Sequence, residues 1–242
     1  MPLHLEWLLL LVGSFVAAAL AAVTGFGGAA VLLPILVLVF GVRDAIPILT
    51  VAQLIGNASR VWFNRRDVAG RVVLWFALGG VPAAFVGGLL FARVPGTFLT
   101  RLLGVFLLTM VVYRRRRRGR VPRLPLRAFA LLGAASSFLS ALMGSVGPLM
   151  APFFLSYGLV KASYIGTEAL ATVVMHTTKL IAYGTASALS VHVLLIGLAL
   201  GPTMIGGSFA GKRIVDRMSE KFFVLLIELT LLAAGLYFTI AG

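Results

Sequence analysis

Ten apolar segments, separated by short polar or glycine-rich intervals, account for most of the chain. They run from about Leu3 to Val23, Gly25 to Phe40, Ala45 to Phe63, Val72 to Phe91 and Phe98 to Tyr113. After a long polar interval come Ala128 to Leu142, Gly147 to Leu159, Ala162 to Tyr183, Val191 to Ala210 and Phe222 to Ile240. Several approach the roughly 20 residues that a membrane-spanning helix needs. The two beside Gly25 and Gly144 are shorter and contain Pro34, Pro148 and Pro152. Irregular backbone inside a bilayer is tolerated only where protein or a water-filled cavity surrounds it. The pattern therefore predicts an all-α integral membrane protein with re-entrant or broken helices at the glycine clusters.

Landmarks in the first half recur in the second. Gly25-x-x-Gly28 with Pro34 and Gly41 is echoed by Gly144-x-x-Gly147 with Pro152 and Gly158, Arg60 by Lys179, Pro82 by Pro202, and Gly87-Gly88 by Gly206-Gly207. All these separations are close to 119 residues, the offset of Lys179 from Arg60. This order predicts one transmembrane domain over 1–242, made of a repeat over 1–113, a linker over 114–127 and a second repeat over 128–242. With about five segments in each repeat, the second enters the membrane inverted relative to the first. Inverted repeats build secondary transporters, whose substrate site lies near the midplane where interrupted helices meet.

Composition agrees: 60% of residues are apolar and only 12% charged, outside the range of soluble domains. The chain has no cysteine, which excludes disulfides and thiolate metal sites. The formal net charge of +14 is concentrated in Arg114-Arg115-Arg116-Arg117-Arg118-Gly119-Arg120 and on through Arg123 to Arg127. Apolar walls flank this run, so it fits the positive-inside rule, with contact to anionic lipid headgroups, and no nucleic-acid partner is expected. With the linker cytoplasmic, Arg60, Arg65, Arg66, Arg71, Lys161, Lys212, Arg213, Arg217 and Lys221 share its side. Arg43, Arg93 and Arg101 fall outside and Lys179 lies in the membrane. Both termini are then expected outside. Met1 to Trp7 lacks a basic stretch and carries Glu6, which reads as a retained helix rather than a cleaved signal.

Two polar stripes carry the candidate chemistry. Gln53, Asn57, Arg60 and Asn64 share one helix face, as do Glu168, Thr172, His176, Lys179 and Tyr183. Polar groups in a membrane helix face a cavity or another helix. A helix starting after Gly25, Gly27 and Gly28, or after Gly144, Ser145 and Gly147, presents free amides and a partial positive charge suited to an oxyanion. Lys179 is expected to meet the anion, with Glu228 as the alternative partner. Glu168 and His176 are the candidate proton carriers. Ser136, Ser137 and Ser140 suit helix packing or hydroxyl donation, and His192 an interface with water. Gly206 to Lys212 fits a phosphate-loop spacing, but Arg213 follows instead of Ser or Thr and no strand precedes it. No catalytic residue, metal ligand set or cofactor site is expected.

Gly25-Phe26-Gly27-Gly28 with Pro34, the Gly56-Asn57 to Arg60 segment and the second copy around Gly144 to Pro152 resemble the TauE/SafE family of sulfite exporters, the TSUP-type membrane transporters. The resemblance covers essentially the whole chain, with Ser145-Val146 standing where the first copy has Phe26-Gly27. It implies a secondary transporter of small sulfur-containing anions, of sulfite, sulfonate or sulfoacetate type, in the bacterial cytoplasmic membrane, coupled to protons or an ion gradient. The alternatives are an anion channel or a non-transporting structural membrane protein.

Overall fold

The computed structural model describes residues 3–26, 28–95 and 123–219, together with Phe98, Phe222 and Leu225. Gly27, Glu228, residues 114–122 of the arginine linker and most of the fifth and tenth apolar segments lie outside the described residues. The described residues form eight helices: α1 Leu3–Thr24, α2 Gly28–Asn64, α3 Gly70–Phe91, α4 Ala128–Met143, α5 Gly147–Ser156, α6 Lys161–Thr185, α7 Val191–Ala199 and α8 Gly201–Arg217. No strand occurs among them.

The distribution of side chains is inside-out. Leu38, Leu131 and Val191 are 85%, 75% and 74% exposed, whereas Arg60 is 3% exposed and Lys179 is fully buried. In water this arrangement forfeits the hydrophobic effect and desolvates charge at once; against lipid it does neither. Four stretches are long and apolar enough to cross a bilayer: Glu6–Thr24, Val31–Asn64, Gly70–Phe91 and Val191–Arg217. The 10 residues of α5 reach only about 15 Å, half the roughly 30 Å hydrocarbon core. Its Met150, Ala151 and Phe154 are buried in the protein.

The helix breaks fall at glycines. The chain leaves α1 through Gly25 (φ +83°) and α4 through Gly144 (φ +84°), a left-handed backbone that glycine adopts without a Cβ clash. Two boundaries differ from the expected segments. The second and third segments join as α2, interrupted only at Gly41 (φ 73°, ψ 163°), so helix resumes at 42 rather than at Ala45. Arg43 and Asp44 thus lie inside a helix, although their charge suggests a loop. Arg43 anchors this corner by donating to the Ala92 and Val94 carbonyls at 3.3 and 2.9 Å. The ninth segment is instead two helices, α7 and α8, and helix continues past Ala210 to Arg217. Pro202 sits in the first turn of α8, where its missing N–H leaves no bond unmade. The polar extension of α8 carries a Lys212–Asp216 pair at 2.5 Å, one turn apart.

The helices meet backbone to backbone. A Cβ at Gly133 would stand 2.1 Å from the Phe76 carbonyl oxygen, where α4 meets α3. One at Gly207 would stand 2.3 Å from the Phe15 carbonyl oxygen, where α8 meets α1. Small residues allow this approach where no hydrophobic effect drives helices together. Ser137 lies in the α3–α4 seam against Gly80, and the buried Ser136 hydroxyl donates to Leu132 of its own helix at 2.5 Å.

Candidate polar cavity at the helix breaks

Both glycine breaks and both polar stripes border one narrow cavity of about 30 Å³. Gly25 and Gly28 come from the first break, and Gly144, Ser145 and Gly147 from the second. Gln53, Asn57 and Arg60 project from α2, and Glu168, Thr172 and His176 from α6. The breaks touch each other, since a Cβ at Gly147 would fall 2.4 Å from the Phe26 Cβ. At roughly 10–15 Å³ per water, the space holds about two or three molecules, so an oxyanion that enters must displace them and widen the walls.

Arg60 ties three helices together at this point. Its Nη1 donates to the Ala21 and Gly25 carbonyls, both at 2.9 Å, and its Nη2 donates to Asn57 Oδ1. The first two oxygens belong to the end of α1, where the Ala21 carbonyl also accepts from the Gly25 N–H at 2.8 Å and a cation meets the negative end of the helix dipole. Glu168 approaches from α6, with Oε2 3.6 Å from Arg60 Nη1 and Oε1 accepting from the Thr172 hydroxyl at 2.9 Å. The Asn57 amide donates to the Gln53 carbonyl at 2.6 Å, and Gln53 stands beside Gly28. In the second break, the Gly147 N–H donates to Ser145 Oγ at 3.5 Å. His176 Nδ1 is buried with no hydrogen-bond partner among the described residues.

Lys179 does not border the cavity. Its ammonium donates to Ser140 Oγ at 3.2 Å and to the Gly144 carbonyl at 3.4 Å, at the end of α4. It therefore repeats the relation of Arg60 to Gly25, 35 residues apart in each case. Its described partners are thus neutral oxygens, and no carboxylate pairs with it among the described residues. Lys179→Met removes a buried charge that no carboxylate balances among the described residues, and keeps the side-chain volume. We expect the variant to melt in detergent at or above the wild-type temperature. A clear fall that Glu228→Gln reverses would instead reveal Glu228 as a carboxylate partner left stranded by the change.

The far ends of the stripes serve helix contacts. Asn64 Nδ2 donates to the Arg60 carbonyl at 2.8 Å and the Tyr183 hydroxyl to the Ala141 carbonyl at 2.5 Å. His192 is exposed at the start of α7. Gly206 to Lys212 lies within α8, with Gly207 and Gly211 against α1. Sequence reasoning missed Tyr164, whose ring crowds Gly25, and Met150 and Met175, which border the cavity. Tyr164 is within reach of such reasoning, because it extends the Glu168 stripe by one turn. The methionines carry no signal that separates them from lipid-facing ones.

A lipid-compatible surface around broken helices, with a polar cavity and a fixed arginine inside, defines a multi-pass helical membrane protein. The chain belongs to the sulfite exporter TauE/SafE family of membrane transporters, whose model matches residues 9–238. No curated protein and no solved structure matched the chain.

Proposed function

We propose that the protein is a secondary transporter of small sulfur-containing anions, of sulfite, sulfonate or sulfoacetate type, in the bacterial cytoplasmic membrane, and that the cavity is its substrate site. The convergence of both glycine breaks and both polar stripes on the cavity around Arg60 carries this reading. A three-oxygen anion there meets a guanidinium fork, the Thr172 and Ser145 hydroxyls, and the positive ends of the helices starting at Gly28 and Gly147. Lys179 acts from behind, by holding the Gly144 carbonyl.

The transporter is built as two inverted repeats, 1–113 and 128–242, joined by a cytoplasmic linker at 114–127 that lies on anionic headgroups, with both termini outside. The matched φ values of Gly25 and Gly144, and the matched bonds from Arg60 and Lys179, support the duplication. The short, buried α5 supports a re-entrant second break. A C-terminal reporter active in the cytoplasm would contradict this topology.

A ligand that binds only the folded state raises its melting temperature, by about 2.7 kcal/mol of stabilisation at 100 times its dissociation constant. In a thermal-shift series, sulfite, methanesulfonate or sulfoacetate should stabilise the purified protein, and choline should not. Equal responses to all of them, or none, would remove the anion assignment.

A further inference from the structure

The cavity holds an acid beside a base, and together they bear on what drives an anion across. Arg60 Nη1 directs its hydrogens at the Ala21 and Gly25 carbonyls, leaving Glu168 Oε2 an ionic neighbour at 3.6 Å with no hydrogen bond. A guanidinium has five N–H donors. Three are engaged here, and Nε and the second Nη2 hydrogen have no partner among the described residues. Arg60 is thus anchored by neutral oxygens and can donate to another anionic oxygen, while Glu168 is the carboxylate that balances its charge among the described residues.

An anion docking here sets a second negative charge against one guanidinium, in a space with room for little water. Two anions so placed repel strongly unless one takes a proton. Glu168 Oε2 is free to take it. A coupling cation would otherwise be held by the carbonyls at broken helix ends, but those carbonyls are occupied: Arg60 takes Ala21 and Gly25, and Lys179 takes Gly144.

Given the transport role assigned to this cavity, on which the inference rests, we propose that Glu168 is the coupling residue and that the anion and the Glu168 carboxylate compete for Arg60. One proton then travels with each anion. In the empty state Glu168 is ionised beside Arg60. As a monoanion docks, a proton from the same aqueous side binds Oε2, and both leave together on the other side; the net charge of the cavity is unchanged between the two states. Among the described residues, the other titratable or charged groups facing Glu168 are Arg60 on α2 and Tyr164 and His176 on α6. His176 is eight positions along α6, about 12 Å, and the Lys179 ammonium is turned to Ser140 and Gly144. From α1, α4 and α5 the cavity receives no titratable side chain, and Arg71 of α3 is exposed at the helix start.

The test uses purified protein in vesicles, with a pH dye in the lumen, the membrane potential clamped, and methanesulfonate as a probe that does not titrate near neutral pH. An outward methanesulfonate gradient should turn the lumen alkaline, one proton leaving per anion. Apparent affinity should fall with rising pH by up to about tenfold per unit. Glu168→Gln, a neutral side chain that still accepts from Thr172, should abolish the lumenal pH change and give an affinity that no longer varies with pH. Anion movement by the wild type without a pH change overturns the proposal, even if the variant fails to fold. So does retained pH dependence in Glu168→Gln, or its loss in His176→Gln instead. Failure of the wild type to exchange either methanesulfonate or sulfite at any pH would refute transport itself, a separate outcome.

Discussion

Arg60→Met is expected to lower anion affinity by about 100-fold or more, equivalent to about 2.7 kcal/mol. It should also destabilise the fold by roughly 3–5 kcal/mol, the usual cost of removing one partner of a buried ion pair. The effects share one cause. The guanidinium satisfies two carbonyls at the end of α1, holds Asn57 as a positioning partner and balances Glu168. Methionine fills the volume but takes a donor from both carbonyls, leaving Ala21 only its bond from the Gly25 N–H, and leaves a carboxylate buried without that cation. Arg60→Lys restores the charge without the planar fork, so it cannot span the same oxygens. It should recover part of the stability and little of the affinity. Thermal denaturation in detergent, combined with equilibrium binding, separates the two. Wild-type binding by a stable Arg60→Met protein would show that the cation is only a structural tie.

Gly28→Leu should abolish transport while the protein still inserts and can be purified. A Cβ at Gly28 would stand 2.7 Å from the Ala17 carbonyl oxygen and 3.1 Å from both the Ala21 Cβ and Gln53 Nε2. The first contact forces the start of α2 away from α1, and the rest of a leucine side chain would press into a cavity of only about 30 Å³. Overpacking of this kind typically costs about 1–3 kcal/mol, which the remaining helix contacts can absorb; the shape of the cavity cannot. Yield of monodisperse protein and vesicle uptake, measured on one preparation, test the two halves of this expectation. Full uptake by Gly28→Leu would reduce the glycine cluster to packing filler.

Much of this arrangement is legible in the sequence, because each part rests on a periodicity or a singular residue. Three- and four-residue spacing puts Gln53, Asn57 and Arg60 on one helix face and Glu168, Thr172 and His176 on another. Low side-chain bulk and conformational freedom mark Gly25 and Gly144 as places where helix can stop. What spacing cannot give is the depth of one helix against another. Arg60 and Lys179 therefore look equivalent in the sequence, yet one borders the cavity and the other lies behind Ser140. Ser140 is indistinguishable there from Ser136 and Ser137, because all three are small and hydroxylated. The α2 corner is hidden for the opposite reason: Arg43 and Asp44 are polar in the way a loop is, and the bonds from Arg43 to the Ala92 and Val94 carbonyls, just past α3, have no signal in the spacing.

Passage of a sulfur oxyanion across the membrane, through the cavity at the two glycine breaks, is tested most directly by counterflow. Vesicles containing the purified wild-type protein are loaded with unlabelled sulfite and diluted into a trace of labelled sulfite. Carrier transport through the cavity predicts transient, saturable accumulation of label that depends on the internal anion and is absent with Gly28→Leu. Uptake that does not saturate and ignores the internal anion, or saturable exchange that survives in Gly28→Leu, would contradict it.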